Sequence, residues 1–135
     1  MNRRNRRLLL LAGTAEARTL AERLAERKDM ETIVSLAGAT RAPARYPGQV
    51  RSGGFGGAAG LARYLKSERI DLLVDATHPY AATMSDNAAT AAERAEIPRL
   101  LYARPAWQKQ AGDKWLEVAD AAEAARALGD LGKRV

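Results

Sequence analysis

The 135-residue chain contains no cysteine, which excludes both a disulfide framework and thiolate metal sites. It has one histidine, His78, so a multi-histidine zinc centre is excluded too, and no metal is expected. Aromatic residues make up only 5% of the chain, and no aromatic-interleaved basic patch of the kind used by single-strand binders is present. Trp107 and Trp115 read as packing residues. No apolar run approaches the ~20 residues of a membrane span. The basic start is followed by an apolar stretch of residues 8–12 alone, too short for a signal-peptide core, so a cytoplasmic protein without a membrane partner is expected. Two catalytic signatures are also missing. No glycine precedes Lys-Ser or Lys-Thr, which argues against a P-loop ATPase or kinase. No serine elbow exists, so Asp75, three residues before His78, is not expected to belong to a hydrolase triad.

What the chain does have is positive charge and a strand–helix rhythm. The formal net charge is +6, and Arg3, Arg4, Arg6 and Arg7 supply four of those charges. Residues 1–7 read as a solvated basic arm, so nucleic acid is not the expected partner. Residues 8–135 read as one domain. Strands are expected at 7–12, 31–37, 50–52, 71–75, 98–102 and 114–118. Helices are expected at 15–27, 58–68 and 80–95, with a last one from the Asp120 cap to about residue 128. Thr14 is placed to cap the first helix, and Glu123 gives Asp120 a capping-box-like spacing. This alternation predicts an α/β fold: a Rossmann-like three-layer domain with a mainly parallel sheet and helices on both faces.

Three turns, each at the carboxyl end of an apolar run, carry the functional reading. Residues 8–11 lead into Ala12-Gly13-Thr14, residues 50–52 into Gly53-Gly54-Phe55-Gly56-Gly57, and residues 72–74 into Asp75-Ala76-Thr77-His78-Pro79-Tyr80. In a parallel sheet such turns emerge on one edge, where backbone N–H groups and helix N-termini favour anions. The first turn is not a full G-x-G-x-x-G, since Ala17 stands where a further glycine would. The second strand ends Ser35-Leu36-Ala37-Gly38 without the carboxylate that binds an NAD ribose; Thr40 and Arg41 follow and suit a 2′-phosphate, unless Arg41 is a solvated loop residue. The glycines of 53–57 permit close approach of a flat ligand, or form a hinge. Phe55 is either a packing anchor or a wall of the site. His78 is either a structural residue at the strand end or a contact to cofactor or substrate.

In order and spacing these segments, with Ala103-Arg104-Pro105-Ala106-Trp107, resemble the precorrin-6A reductase family of cobalamin biosynthesis. The resemblance implies an NADPH-dependent reductase that passes a hydride to a double bond of precorrin-6A, or of its cobalt form, giving precorrin-6B. By position, Gly13, Thr14 and Arg18 would line the cofactor loop, and Ser35, Gly38 and Arg41 the adenosine end. Gly53, Gly54, Phe55, Gly56, Thr77, His78 and Pro79 would face the nicotinamide and the macrocycle, with Thr77 and His78 the candidates for a catalytic role. Arg18, Arg41, Arg51 and Arg104 would supply charge for the carboxylates of the tetrapyrrole substrate. Ala12 stands where the family often has glycine, and Ala39 where it often has arginine. The family's chain is also nearly twice as long, and this one stops where its second half should begin. The expected result is a half-site that needs a homo-oligomer or the missing C-terminal half as partner. Two other readings stand beside it: a non-catalytic dinucleotide-binding module, and a nucleic-acid-associated protein using the basic arm.

Overall fold

The structure, a computed structural model, describes residues 4–38, 45–78, 81–105 and 108–130. Four consecutive leucines make the natural centre of a sheet, and β1 (Arg6–Leu11) occupies it. Leu8, Leu9, Leu10 and Leu11 are all buried, each worth about 1.5–3 kcal/mol relative to exposure. The chain continues through α1 (Ala15–Ala25), β2 (Met30–Leu36), β3 (Gln49–Ser52), α2 (Gly57–Ser67), β4 (Leu72–Asp75), α3 (Ala82–Ala95) and β5 (Arg99–Leu101). The strands lie in the order β3-β2-β1-β4-β5 with every pairing parallel. The α/β Rossmann-like expectation is met.

Alternation along each strand divides the core. Leu8, Leu10, Val34 and Val74 face α1 through Ala17 and Ala21. Leu9, Leu11, Ile33 and Leu73 face α2 and α3 through Leu61, Leu65, Ala88, Ala91 and Ala92. The chain leaves β1 toward β2 and later returns to β1's other side as β4, so the topological switch point falls between β1 and β4. Strand β5 ends the sheet with Leu100 and Leu101 52% and 55% exposed.

Both α2 and α3 close in the same way: Arg69 and Glu96 adopt φ of 52° and 56°. The following residues turn back, with Ile70 N–H donating to Leu65 O at 2.9 Å and Ile97 N–H to Ala92 O at 3.0 Å. This is the Schellman arrangement, formed without the usual glycine.

The basic start is more engaged than a solvated arm. Strand β1 begins at Arg6, one residue earlier than expected. The Arg7 N–H donates to Asp71 Oδ2 at 2.8 Å, and its guanidinium contacts Glu68 and Glu31. Arg4 pairs with Asp71 at 2.7 Å. Arg3 lies outside the described residues.

The chain divides into two compact units, Met1–Arg104 and Pro105–Val135. The second contains α4 (Ala121–Asp130). The Asp120 carboxylate accepts from Glu123 N–H at 2.8 Å, and the Glu123 carboxylate reaches back to Ala119 N–H at 2.6 Å. The expected strand at 114–118 does not form. Its Trp-Leu-Glu-Val run has strand propensity, but a strand exists only where another backbone edge completes its hydrogen bonds, and among the described residues this unit holds no other strand. Trp107 lies outside the described residues; Trp115 is 40% exposed rather than packed.

Candidate active site

Parallel pairing brings the turns after β1, β2, β3 and β4 to one edge, and hydrogen bonds tie them together. Thr14 caps α1: its Oγ1 accepts from Ala17 N–H at 3.1 Å and donates to Ala76 O at 2.9 Å. One hydroxyl therefore joins the first turn to the turn after β4. Gly53 N–H donates to Leu36 O at 3.0 Å, joining the turns after β3 and β2. Gly38 has φ of 88°, and a side chain there would meet Gly53 N at 3.1 Å, so only glycine fits this junction without strain. Around Gly13 the place a Cβ would take has nothing within 4 Å, which leaves that turn open to a ligand.

Asp75 ends β4 fully buried. Its Oδ1 accepts from both Thr77 N–H (3.1 Å) and Thr77 Oγ1–H (2.6 Å). Oδ2 is buried with no hydrogen-bond partner among the described residues. Ser85 Oγ, in the first turn of α3, lies 3.4 Å from Thr77 Oγ1. With its proton committed to Asp75, the Thr77 hydroxyl presents lone pairs to a ligand rather than a proton. His78 is exposed beside this turn, and its carbonyl accepts from Ala81 N–H at 2.8 Å.

Charges gather at the same edge. Glu16, in the first turn of α1, accepts from Arg104 Nε at 2.7 Å and from Nη2. Its own backbone N–H and the Arg104 hydrogen bonds hold the Glu16 carboxyl below its ordinary range, with the charges of Arg104 and His78 adding to the effect. Arg104 is thus engaged with a carboxylate rather than standing clear for substrate. Arg18 lies over the Tyr46 ring and donates to Arg45 O at 3.3 Å.

Of the residues singled out from sequence, Gly13, Thr14, Gly38, Gly53, Gly54, Gly56, Thr77 and His78 lie on this edge, with Ser35 just beneath it. Phe55 is a packing anchor: its ring meets Tyr64 edge-on at 5.1 Å and rests on the core between the sheet and α2. Arg41 and Pro79 lie outside the described residues. Asp75 and Gly60 were not singled out as site residues, and Arg51 was expected only as a cation for the substrate's carboxylates, not as a brace of the glycine-rich turn. A carboxylate closing an apolar strand was the available signal for Asp75, and a cation directly before a glycine run was the signal for Arg51. A cleft of about 310 Å³ lies at the opposite edge, between the end of α1 and the starts of β2 and β3. It lies away from the turns that carry the chemistry.

Among the described residues, no cluster of three or more histidine, aspartate or glutamate side chains is placed to hold a metal, and no helix is long and apolar enough to cross a membrane. The profile of the family described as "Precorrin-6x reductase CbiJ/CobK" matches residues 7–135. A precorrin-6A reductase of Sinorhizobium sp is 51% identical over 129 residues, covering 96% of this chain and 49% of that protein. One of Rhodococcus erythropolis is 49% identical over 129 residues, covering 96% and 52%. The solved structure of a CobK precorrin-6A reductase superposes with a TM-score of 0.84 at 46% identity, covering 90% of this chain and 48% of that one. The chain spans about half the length of the curated relatives it matches. With its switch point, its joined turns and a match across nearly its whole length, the chain belongs to the CbiJ/CobK precorrin-6x reductase family.

Proposed function

We propose that this chain is the dinucleotide-binding part of an NADPH-dependent precorrin-6A reductase. The observation that carries the reading is the edge at which the β1 turn, the β2 end, the glycine-rich turn and the Asp75–Thr77 turn are hydrogen-bonded together beside the switch point. The residues there fit such a cofactor. Gly13 leaves open space before the α1 N-terminus, which suits a pyrophosphate. The end of β2 offers Ser35 and Gly38 rather than a carboxylate, which removes the group that would repel a 2′-phosphate. Arg41 follows in the sequence and is assigned the phosphate contact. When bound, the reduced nicotinamide supplies a hydride to a double bond of the macrocycle. The role of Thr77 is to orient what docks against it by accepting a hydrogen bond, with Asp75 fixing its rotamer. His78 remains the candidate for contact with substrate.

The second reading, a non-catalytic dinucleotide-binding module, draws on the chain's spanning about half of its relatives. Hydride transfer requires donor and acceptor held roughly 3–3.5 Å apart, positioning worth about 7–11 kcal/mol of barrier, and one sheet edge offers the tetrapyrrole one wall. The reading based on the basic arm loses ground because Arg4 and Arg7 are paired with Asp71, Glu31 and Glu68. Titration with NADPH and NADH, followed by turnover assays with precorrin-6A and its cobalt form, tests the proposal. NADPH binds better, Arg41→Ala costs about 1.5–3 kcal/mol of NADPH affinity, and turnover by the chain alone is slow. Equal or tighter NADH binding overturns the cofactor assignment, and brisk turnover by this chain alone overturns the half-site.

A further inference from the structure

Arg51 lies near the end of β3, directly before the glycine-rich turn, and its guanidinium is held on several sides. Nη1 donates to Ser35 Oγ at 2.8 Å and to Gly53 O at 3.0 Å, and Nη2 donates to Gly54 O at 3.1 Å. The guanidinium carbon sits 3.8 Å from the centroid of the Phe55 ring and 5.1 Å from that of Tyr64. Among the described residues no carboxylate pairs with it. The cation is therefore spent on backbone carbonyls, a hydroxyl and two aromatic rings, an arrangement that only a planar fork satisfies at once.

The consequence falls on the peptide groups. The described residues have no cis peptide bonds, and across a trans peptide the C=O and N–H point in opposite directions. With the carbonyls of Gly53 and Gly54 turned onto Arg51, the N–H groups of Gly54 and Phe55 are turned away from it. The far end of the turn is braced independently. A side chain at Gly60 of α2 would come within 1.7 Å of Phe55 O, so helix backbone presses directly on that carbonyl. A run of glycines that would otherwise sample many conformations is thus held in one.

We propose that Arg51 is a positioning residue for the nucleotide site: it fixes the direction of the Gly54 and Phe55 N–H groups and acts through the turn, not by touching the ligand. The assignment rests on the cofactor reading given above, and it takes Arg51 out of the set of cations available to a substrate's carboxylates.

The test uses the full chain with NADP⁺ and NAD⁺ as probes, in Arg51→Lys, Arg51→Met and Arg51→Ala variants whose folding is checked by circular dichroism. Lysine keeps the charge but not the fork, so Arg51→Lys and Arg51→Met both weaken NADP⁺ binding about tenfold or more, and NAD⁺ binding by the same factor. Amide hydrogen exchange quickens across residues 53–57 while β1 and α1 keep their protection. Methylguanidinium at low millimolar concentration restores NADP⁺ binding to Arg51→Ala, which general loss of stability would not allow. If Arg51→Met does not fold, Arg51→Lys and Ser35→Ala carry the test through the same exchange readout. Wild-type affinity in Arg51→Lys overturns the proposal, as does a loss confined to NADP⁺, which would make Arg51 a direct phosphate ligand. A wild-type chain that binds neither dinucleotide overturns the cofactor reading instead; the exchange rates, which need no ligand, tell the two failures apart.

Discussion

Asp75 holds Thr77 by two hydrogen bonds from one buried oxygen while its other oxygen has no partner among the described residues. Truncation removes a charged acceptor and leaves the Thr77 donors unsatisfied, so Asp75→Ala costs about 1.5–3 kcal/mol of stability, read from urea midpoints; a loss under 0.5 kcal/mol would show that the turn holds itself. Glu16 makes a second residue-scale prediction, with the sign set by its lowered carboxyl. A carboxyl depressed on folding contributes stability that is complete above its ordinary value of 4.5 and is lost as the pH falls through the lower folded value. The pair is exposed and the contribution small, so the checkable quantity is its pH dependence. The difference in urea midpoint between wild type and Glu16→Gln is largest above pH 4.5 and closes as the pH falls below it, and a difference that widens on acidification would refute it. At this scale the sequence made Thr14 and the glycines legible, because cap and turn chemistry are local. The bonds of Asp75 and Arg51 were not, since they depend on which strand ends become neighbours. Phe55 was left between two roles until Tyr64 came beside it.

At the scale of elements, the helix ends show where local signals stop. The ends of α2 and α3 were expected within a residue of where they fall, from apolar periodicity. The closing residues were not legible, because glycine is the usual sign of a left-handed cap and here Arg69 and Glu96 take that conformation. Both side chains are exposed. Arg69→Gly and Glu96→Gly relieve the left-handed strain and each stabilise the protein by about 0.5–1 kcal/mol after the entropic cost of glycine. Thermal or urea unfolding checks this, and destabilisation by either would mean that the side chain makes a contact worth more than the strain. Gly60 carries the opposite lesson. A glycine inside a helix looked incidental, yet backbone packing against Phe55 O requires it. The unformed strand at 114–118 shows that propensity alone does not make a strand.

For the molecule as a whole, the architecture was legible because alternating strands and helices leave few topologies once crossovers are right-handed. The common edge of the glycine turns follows from parallel pairing alone. The division into compact units after Arg104 has no counterpart in composition, because such a division is a matter of which contacts are missing. The exposed leucines of β5 have a consequence for how the protein behaves in a tube. Among the described residues the outer side of that strand has no hydrogen-bonded neighbour in the sheet, and the strand carries the exposed Leu100 and Leu101, one on each face, with Tyr102 just beyond. Natural sheets usually guard such a border with lysine, proline or a bulge. Arg99 is the only charge in the strand. Solutions of this chain therefore have colloidal stability limited by one short ribbon of backbone. Sedimentation coefficients rise with protein concentration, and Leu101→Lys flattens that rise without altering the circular dichroism spectrum. A coefficient independent of concentration in the wild type would show that the border is already guarded. The practical corollary is that the charge of +6, which would ordinarily keep a small protein dispersed, is set against a seam along which copies can be stitched together.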